Sequence, residues 1–153
     1  MSSGPGPEPG PETESPPGPG LARGHAFESL DLRTVEVAGA DWAMDMAVTP
    51  QVVNGSGVLQ GGLMATLIDL VAGTALLRGE RVGQRGTTSE LHISFLAAAR
   101  VGPVRATAHI LRQGKRSAVV RVDVHDLGAQ DIHVATATLT FAVRPGEGPA
   151  DAG

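Results

Sequence analysis

The stretch Asn54–Arg78 reads N-G-S-G-V-L-Q-G-G-L-M-A-T-L-I-D-L-V-A-G-T-A-L-L-R, and the fold turns on it. From Leu63 to Leu77 nearly every one of its 15 residues is apolar or small, and no wet face is left. A helix that is apolar all round is a buried helix. The run is shorter than the roughly 20 residues a bilayer span needs, and a carboxylate stands in its middle. The stretch therefore reads as the central helix of a soluble domain, with one acid, Asp69, facing the interior. Burying a carboxylate costs on the order of several kcal/mol unless it is paired or hydrogen-bonded. Its neighbours three and four positions away, Ala65, Thr66, Ala72 and Gly73, are all small, which leaves room beside the acid. That small face serves either close packing, with Asp69 bonded to a neighbouring strand, or the wall of a pocket. Gly61-Gly62 opens the helix and sets N–H groups at the positive end of its dipole. Such an end holds an anion or a developing oxyanion, though a plain turn uses the same pair.

Outward from the helix, composition narrows the classes. At 153 residues the chain is one domain. Residues 1–20 carry seven of the eleven prolines together with Glu8, Glu12 and Glu14, and read as a disordered tail. With no basic region and no apolar run, this tail is not expected to be a secretory signal, and its acidity is wrong for a transit peptide. Residues 145–153 read as a flexible tail, which leaves 21–144 for the folded domain. The absence of cysteine excludes disulfides, thiolate nucleophiles and cysteine metal sites, and makes a cytoplasmic location the expectation. A net charge of −4, with three Phe, one Trp and no Tyr, argues against nucleic-acid binding. The core must be aliphatic.

Before the helix, a short helix or lead-in is expected over Leu21–Leu30. A strand over Asp31–Ala38, a turn at Gly39-Ala40-Asp41 and a strand over Trp42–Val48 form a hairpin, which Pro50 ends. After it, a loop over Gly79–Gly86 leads to four alternating runs. Thr87–Leu96 aligns Leu91, Ile93 and Phe95. Val104–Arg112 aligns Val104, Ala106, Ala108 and Ile110. Ala118–His125 aligns Ala118, Val120, Val122 and Val124. Ile132–Val143 aligns Ala135, Ala137, Leu139, Phe141 and Val143. Turns fall at Gln113-Gly114-Lys115 and Gly128-Ala129-Gln130. The class is α+β, β-β-α-β-β-β-β, with one apolar helix wrapped by a curved antiparallel sheet. Its open edges and outer face imply an oligomer.

The motif N-G-S-G-V-L-Q-G-G-L-M-A-T-L-I-D, followed by T-T-S-E-L-H-I-S-F-L-A-A-A-R-V-G and R-A-T-A-H-I-L-R-Q-G-K-R-S, resembles the hotdog-fold acyl-CoA thioesterases, in the phenylacetate-pathway (PaaI-type) branch of the 4-hydroxybenzoyl-CoA thioesterase superfamily. The likeness covers about residues 27–143. It implies a hotdog fold and hydrolysis of an acyl or aryl thioester of coenzyme A, with no cofactor. It implies Asp69 as nucleophile or general base and the Gly61 N–H, with Gly62 beside it, polarising the carbonyl. Asn54 would orient the water or the acid. Thr88, or the adjacent Thr87, would reach the site of a neighbouring protomer in a homodimer or homotetramer. One base and one oxyanion donor suffice for an already activated thioester, so no metal is required. Where the family has His before Gly-Gly, this chain has Gln60, an amide that donates a hydrogen bond but carries no proton at neutral pH. A non-catalytic acyl-thioester binding protein on the same fold is therefore the rival reading. A hydratase would need a His–acid pair near the helix, and none is evident.

Other patterns carry less. Gly55-x-Gly57 with Gly61 has the wrong spacing for a dinucleotide fingerprint, and no G-x-S-x-G elbow is present. The Asn54-Gly55-Ser56 sequon has no meaning in an intracellular chain. His92, His109, His125 and His133 lie on strands without helical spacing, so no metal site is expected. Two basic clusters stand at Arg78, Arg81 and Arg85 and at Arg112, Lys115 and Arg116. Most read as solvated loops, but Lys115 and Arg116 are expected to contribute a positive rim for coenzyme A phosphates. Membrane association is not expected.

Overall fold

The computed structural model describes residues 26–79 and 85–144. The expected tails at 1–20 and 145–153, and Arg81 in the loop after the helix, lie outside the described residues. A 3-10 turn, Ala26–Ser29, occupies the end of the expected lead-in. Strands β1 (Leu32–Val35) and β2 (Trp42–Met46) form the expected hairpin, and α1 runs over Gly61–Arg78. Then follow β3 (Arg85–Phe95), β4 (Val104–Gln113), β5 (Ser117–Asp126) and β6 (Ile132–Arg144). The six strands make one sheet in the order β1-β2-β4-β5-β6-β3, antiparallel at every step.

The element order is the one the alternation dictates, because directly opposed residues of antiparallel strands share a face. Ala106 stands opposite Val124, Val124 opposite Ala135, Val120 opposite Leu139, and all are buried under α1. The helix contributes Met64, Leu67, Ile68, Val71, Ala72, Ala75 and Leu76 to that core. Arg78 stacks over Trp42 at 4.5 Å, and its charge complements the negative end of the helix.

Two expectations need correcting. The helix is not buried all round: Asp69, Leu70, Gly73 and Thr74 are half-open and Leu77 is exposed, because the single sheet covers only one side. β1 is also shorter than the alternation promised and stops at Val35.

Strand β3 is an edge. A register shift between Thr88 and Glu90 lets Thr88, Leu91, Ile93 and Phe95 all face the helix side, opposite Phe141, Leu139, Ala137 and Ala135. Even so, Leu91 remains 40% and Phe95 56% exposed. An 11-residue edge with apolar side chains in the open is an unfinished surface.

Candidate active site

Asp69 lies midway along α1, two turns from Gly61. The Thr88 hydroxyl donates to Asp69 Oδ1 at 2.7 Å, which orients the carboxylate. Oδ2 has no partner among the described residues. Both side chains line an open cleft of about 480 Å³, walled also by Leu70, Gly73, Thr74 and Phe141. The Thr74 hydroxyl is already bound to the Leu70 carbonyl at 2.8 Å, so the cleft beyond the acid is largely apolar. The resemblance sends Thr88 to a neighbouring protomer, but in the structure it serves Asp69 of its own chain, because the inner face of β3 packs on α1. Thr87 is on the opposite face of the strand, opposite Ala142, and turns away from this cleft.

The helix start forms a second cluster. Gln60 is the N-cap, extended at φ −61 and ψ 130, and its side chain makes no capping bond. The Leu63 and Met64 N–H groups bond the Gln60 carbonyl, at 3.0 Å each, and the amides of Gly61 and Gly62 have no acceptor among the described residues. No acid stands in the first turn to neutralise the positive dipole end. Asn54 precedes this corner in a tight turn: its Oδ1 accepts the N–H groups of Ser56 at 2.9 Å and Val58 at 3.2 Å. The Asn54 side-chain oxygen is thus spent on its own loop, and its NH₂ makes no hydrogen bond among the described residues.

Sequence reasoning missed how this corner is braced. Arg100 Nη1 donates to the Ser56 carbonyl at 2.8 Å, and the Leu59 N–H bonds the Ala99 carbonyl at 2.9 Å. The backbone at Arg100, Val101 and Gly102 is gripped in turn by Asp126, whose carboxylate accepts their N–H groups at 2.8, 3.0 and 2.7 Å. Burial pushes the Asp126 pKa up, but these donors and the Ala129 N–H outweigh it and hold the carboxyl below its ordinary value. Phe95, singled out only by alternation, lies against Gly61, within 3.3 Å of where a β-carbon there would stand.

One chain does not bring the two clusters together. Eight residues of α1 separate Gly61 from Asp69, about 12 Å along the axis. Lys115 and Arg116 sit on the exposed β4–β5 turn, beside the C-terminal end of α1 where Gln113 reaches the Leu76 carbonyl, and do not line the Asp69 cleft. Arg85 does line it. The strand histidines lie elsewhere: His125 stacks on His133 at 4.6 Å, with Asp123 3.4 Å from His133 Nε2.

The profile of the thioesterase superfamily matches residues 56–132. The chain belongs to the thioesterase superfamily. Mouse acyl-coenzyme A thioesterase 13 is 41% identical over 107 residues, covering 69% of this chain and 73% of the relative. The crystal structure of the Bacillus halodurans BH2602 protein with CoA superposes with a TM-score of 0.60 at 34% identity, over 66% of each chain. The PaaI protein of the Escherichia coli phenylacetic acid degradation operon superposes with a TM-score of 0.69, over 78% of this chain and 84% of that one, and at 24% identity it speaks for the fold alone. The superfamily member thus has the hotdog fold, one helix on a six-stranded antiparallel sheet.

Proposed function

We propose that the chain hydrolyses an acyl or aryl thioester of coenzyme A to the carboxylate and free CoA. The observation that carries this is Asp69, held by Thr88 at 2.7 Å on the wall of an apolar cleft with one oxygen open, in a chain of this superfamily. Asp69 acts as base or nucleophile. As base, its free oxygen takes a proton from a water that attacks the carbonyl carbon; the C–S bond breaks and the thiolate leaves to be protonated. The oxyanion formed meanwhile is stabilised by the Gly61 N–H, with Gly62 adjacent, at the uncompensated positive end of α1. Gln60, free of capping duty, donates its amide to the thioester, and Asn54 orients the water or the acid through its NH₂. Acyl-CoA as substrate accords with the name of the mouse relative and with the CoA bound by the Bacillus protein.

The separation within one chain argues for a site shared by two protomers. Along β3, Thr88 marks the Asp69 end and Phe95 the Gly61 end. Antiparallel pairing of two β3 edges about a two-fold axis lays each Thr88 end beside the partner's Phe95 end. Asp69 and Thr88 of one protomer then face the glycine corner of the other, and the exposed Leu91 and Phe95 are covered. A homodimer, alone or within a homotetramer, is the expected assembly.

A thiol-release assay over a panel of acyl chain lengths and aryl groups tests the activity. CoA release that requires Asp69 supports it. Tight acyl-CoA binding without release would instead support a binding protein, with Gln60 as the mark of lost chemistry, and Gln60→His would then be expected to restore rate.

A further inference from the structure

Gly73 stands inside α1, one turn beyond Asp69, on the wall of the cleft. Glycine in a helix interior is destabilising relative to alanine, so its presence there asks for a steric reason. The described residues of one chain supply none. A β-carbon built on Gly73 meets no atom of the described residues within 4 Å. Gly86 across the same cleft is the contrast: a β-carbon there runs into Leu76 and comes to 3.3 Å of Phe141, so packing alone explains that glycine. Nor does backbone conformation require Gly73, which lies in regular helix and is absent from the positive-φ glycines Gly39, Gly57 and Gly102.

What the missing side chain leaves open is cleft volume. From Asp69 the wall continues past Gly73 to Leu77, two turns or about 12 Å along the helix. Leu70, Leu77 and Phe141 make it largely apolar, the Thr74 hydroxyl is already satisfied, and Arg85 is the one cation among its lining residues. We propose that the acyl group lies along this half of α1 and that Gly73 is a specificity-determining position. By withholding a side chain, it admits an apolar acyl group that is broad next to its carbonyl, such as an arylacetyl group, as well as a slender straight chain. The inference rests on the thioesterase reading above.

Gly73→Ala and Gly73→Val in the full-length protein test it through melting temperature and kcat/KM for phenylacetyl-CoA and octanoyl-CoA. Gly73→Ala should raise Tm by about 3 °C and lower kcat/KM for phenylacetyl-CoA about tenfold relative to that for octanoyl-CoA. Gly73→Val should widen the difference between the two substrates. A lower Tm for Gly73→Ala would mean the position is packed in the assembled protein, and would overturn the proposal. An unchanged substrate ratio in both variants would overturn it as well, with the thioesterase reading intact. Failure of the wild-type protein to cleave any thioester in the panel would overturn that reading, and this role with it.

Discussion

At the scale of single residues, two carboxylates do opposite things. Asp69 keeps an oxygen open, and Asp126 spends both of its oxygens on backbone N–H groups. Asp69→Asn retains an oxygen to accept from Thr88, so the fold should hold while the proposed base is lost. Turnover is expected to fall by at least about 100-fold with Tm nearly unchanged, read by thiol release and calorimetry. Gly61→Pro is the matching change at the other cluster. Proline is well accepted at a first helical position and removes the N–H proposed to polarise the carbonyl, while the Phe95 ring, 3.3 Å from a β-carbon there, must shift a little to admit it. It should cost about 100- to 1,000-fold in kcat with the helix retained by circular dichroism. Asp126 is wholly buried, and Asp126→Asn turns one acceptor into a donor facing N–H groups. The loss is expected to be about 2–3 kcal/mol at neutral pH. The Asp126 carboxyl is held low in the fold, so its stabilisation is complete above the ordinary carboxylate range near pH 4 and drains away as pH falls through the folded value. Urea titrations should therefore show the gap between wild type and variant narrowing in acid.

At the scale of elements, β3 carries the argument. It is the long free edge, and it joins the acid end of the site to the amide end. Leu91→Lys places a charge on the helix-side face of that edge, at a position 40% exposed in one chain, and charged edges resist strand pairing. The variant should sediment as a folded monomer and lose turnover, because its half-sites no longer meet. A monomer with full activity would contradict the shared site. Much of this level was legible from residue order. The alternation from Thr87 onward placed four strands to within one or two residues, and the unbroken apolar run placed α1. What stayed hidden depends on contacts between distant segments. Asp126 looks like an acid at the end of a strand, and nothing in its neighbours announces that it grips the backbone at Arg100–Gly102. Arg100 is likewise an ordinary loop cation until the fold brings it to Ser56. The helix seemed apolar on every side because residues that meet a ligand or a partner have the same composition as residues that meet a core.

At the scale of the whole molecule, the proposed working unit is a pair of chains. Asp69, Thr88, Asn54, Gln60 and Gly61 were all singled out by their motif positions, but one chain leaves them in two clusters, Asp69 with Thr88 and Asn54 with Gln60 and Gly61. The charge on the rim belongs to this scale too. Lys115 and Arg116 are exposed near the C-terminal end of α1, and reversing both charges should raise KM for acyl-CoA at low salt, with the effect fading as salt screens it. The most direct measurement is made on a purified heterodimer of Asp69→Asn with Gly61→Pro, co-expressed under two affinity tags. Two-fold sharing leaves one site with both wild-type groups and the other with neither, so thiol release should recover to about half the wild-type rate while each parent homodimer stays inactive. A heterodimer no faster than its parents would contradict the shared site.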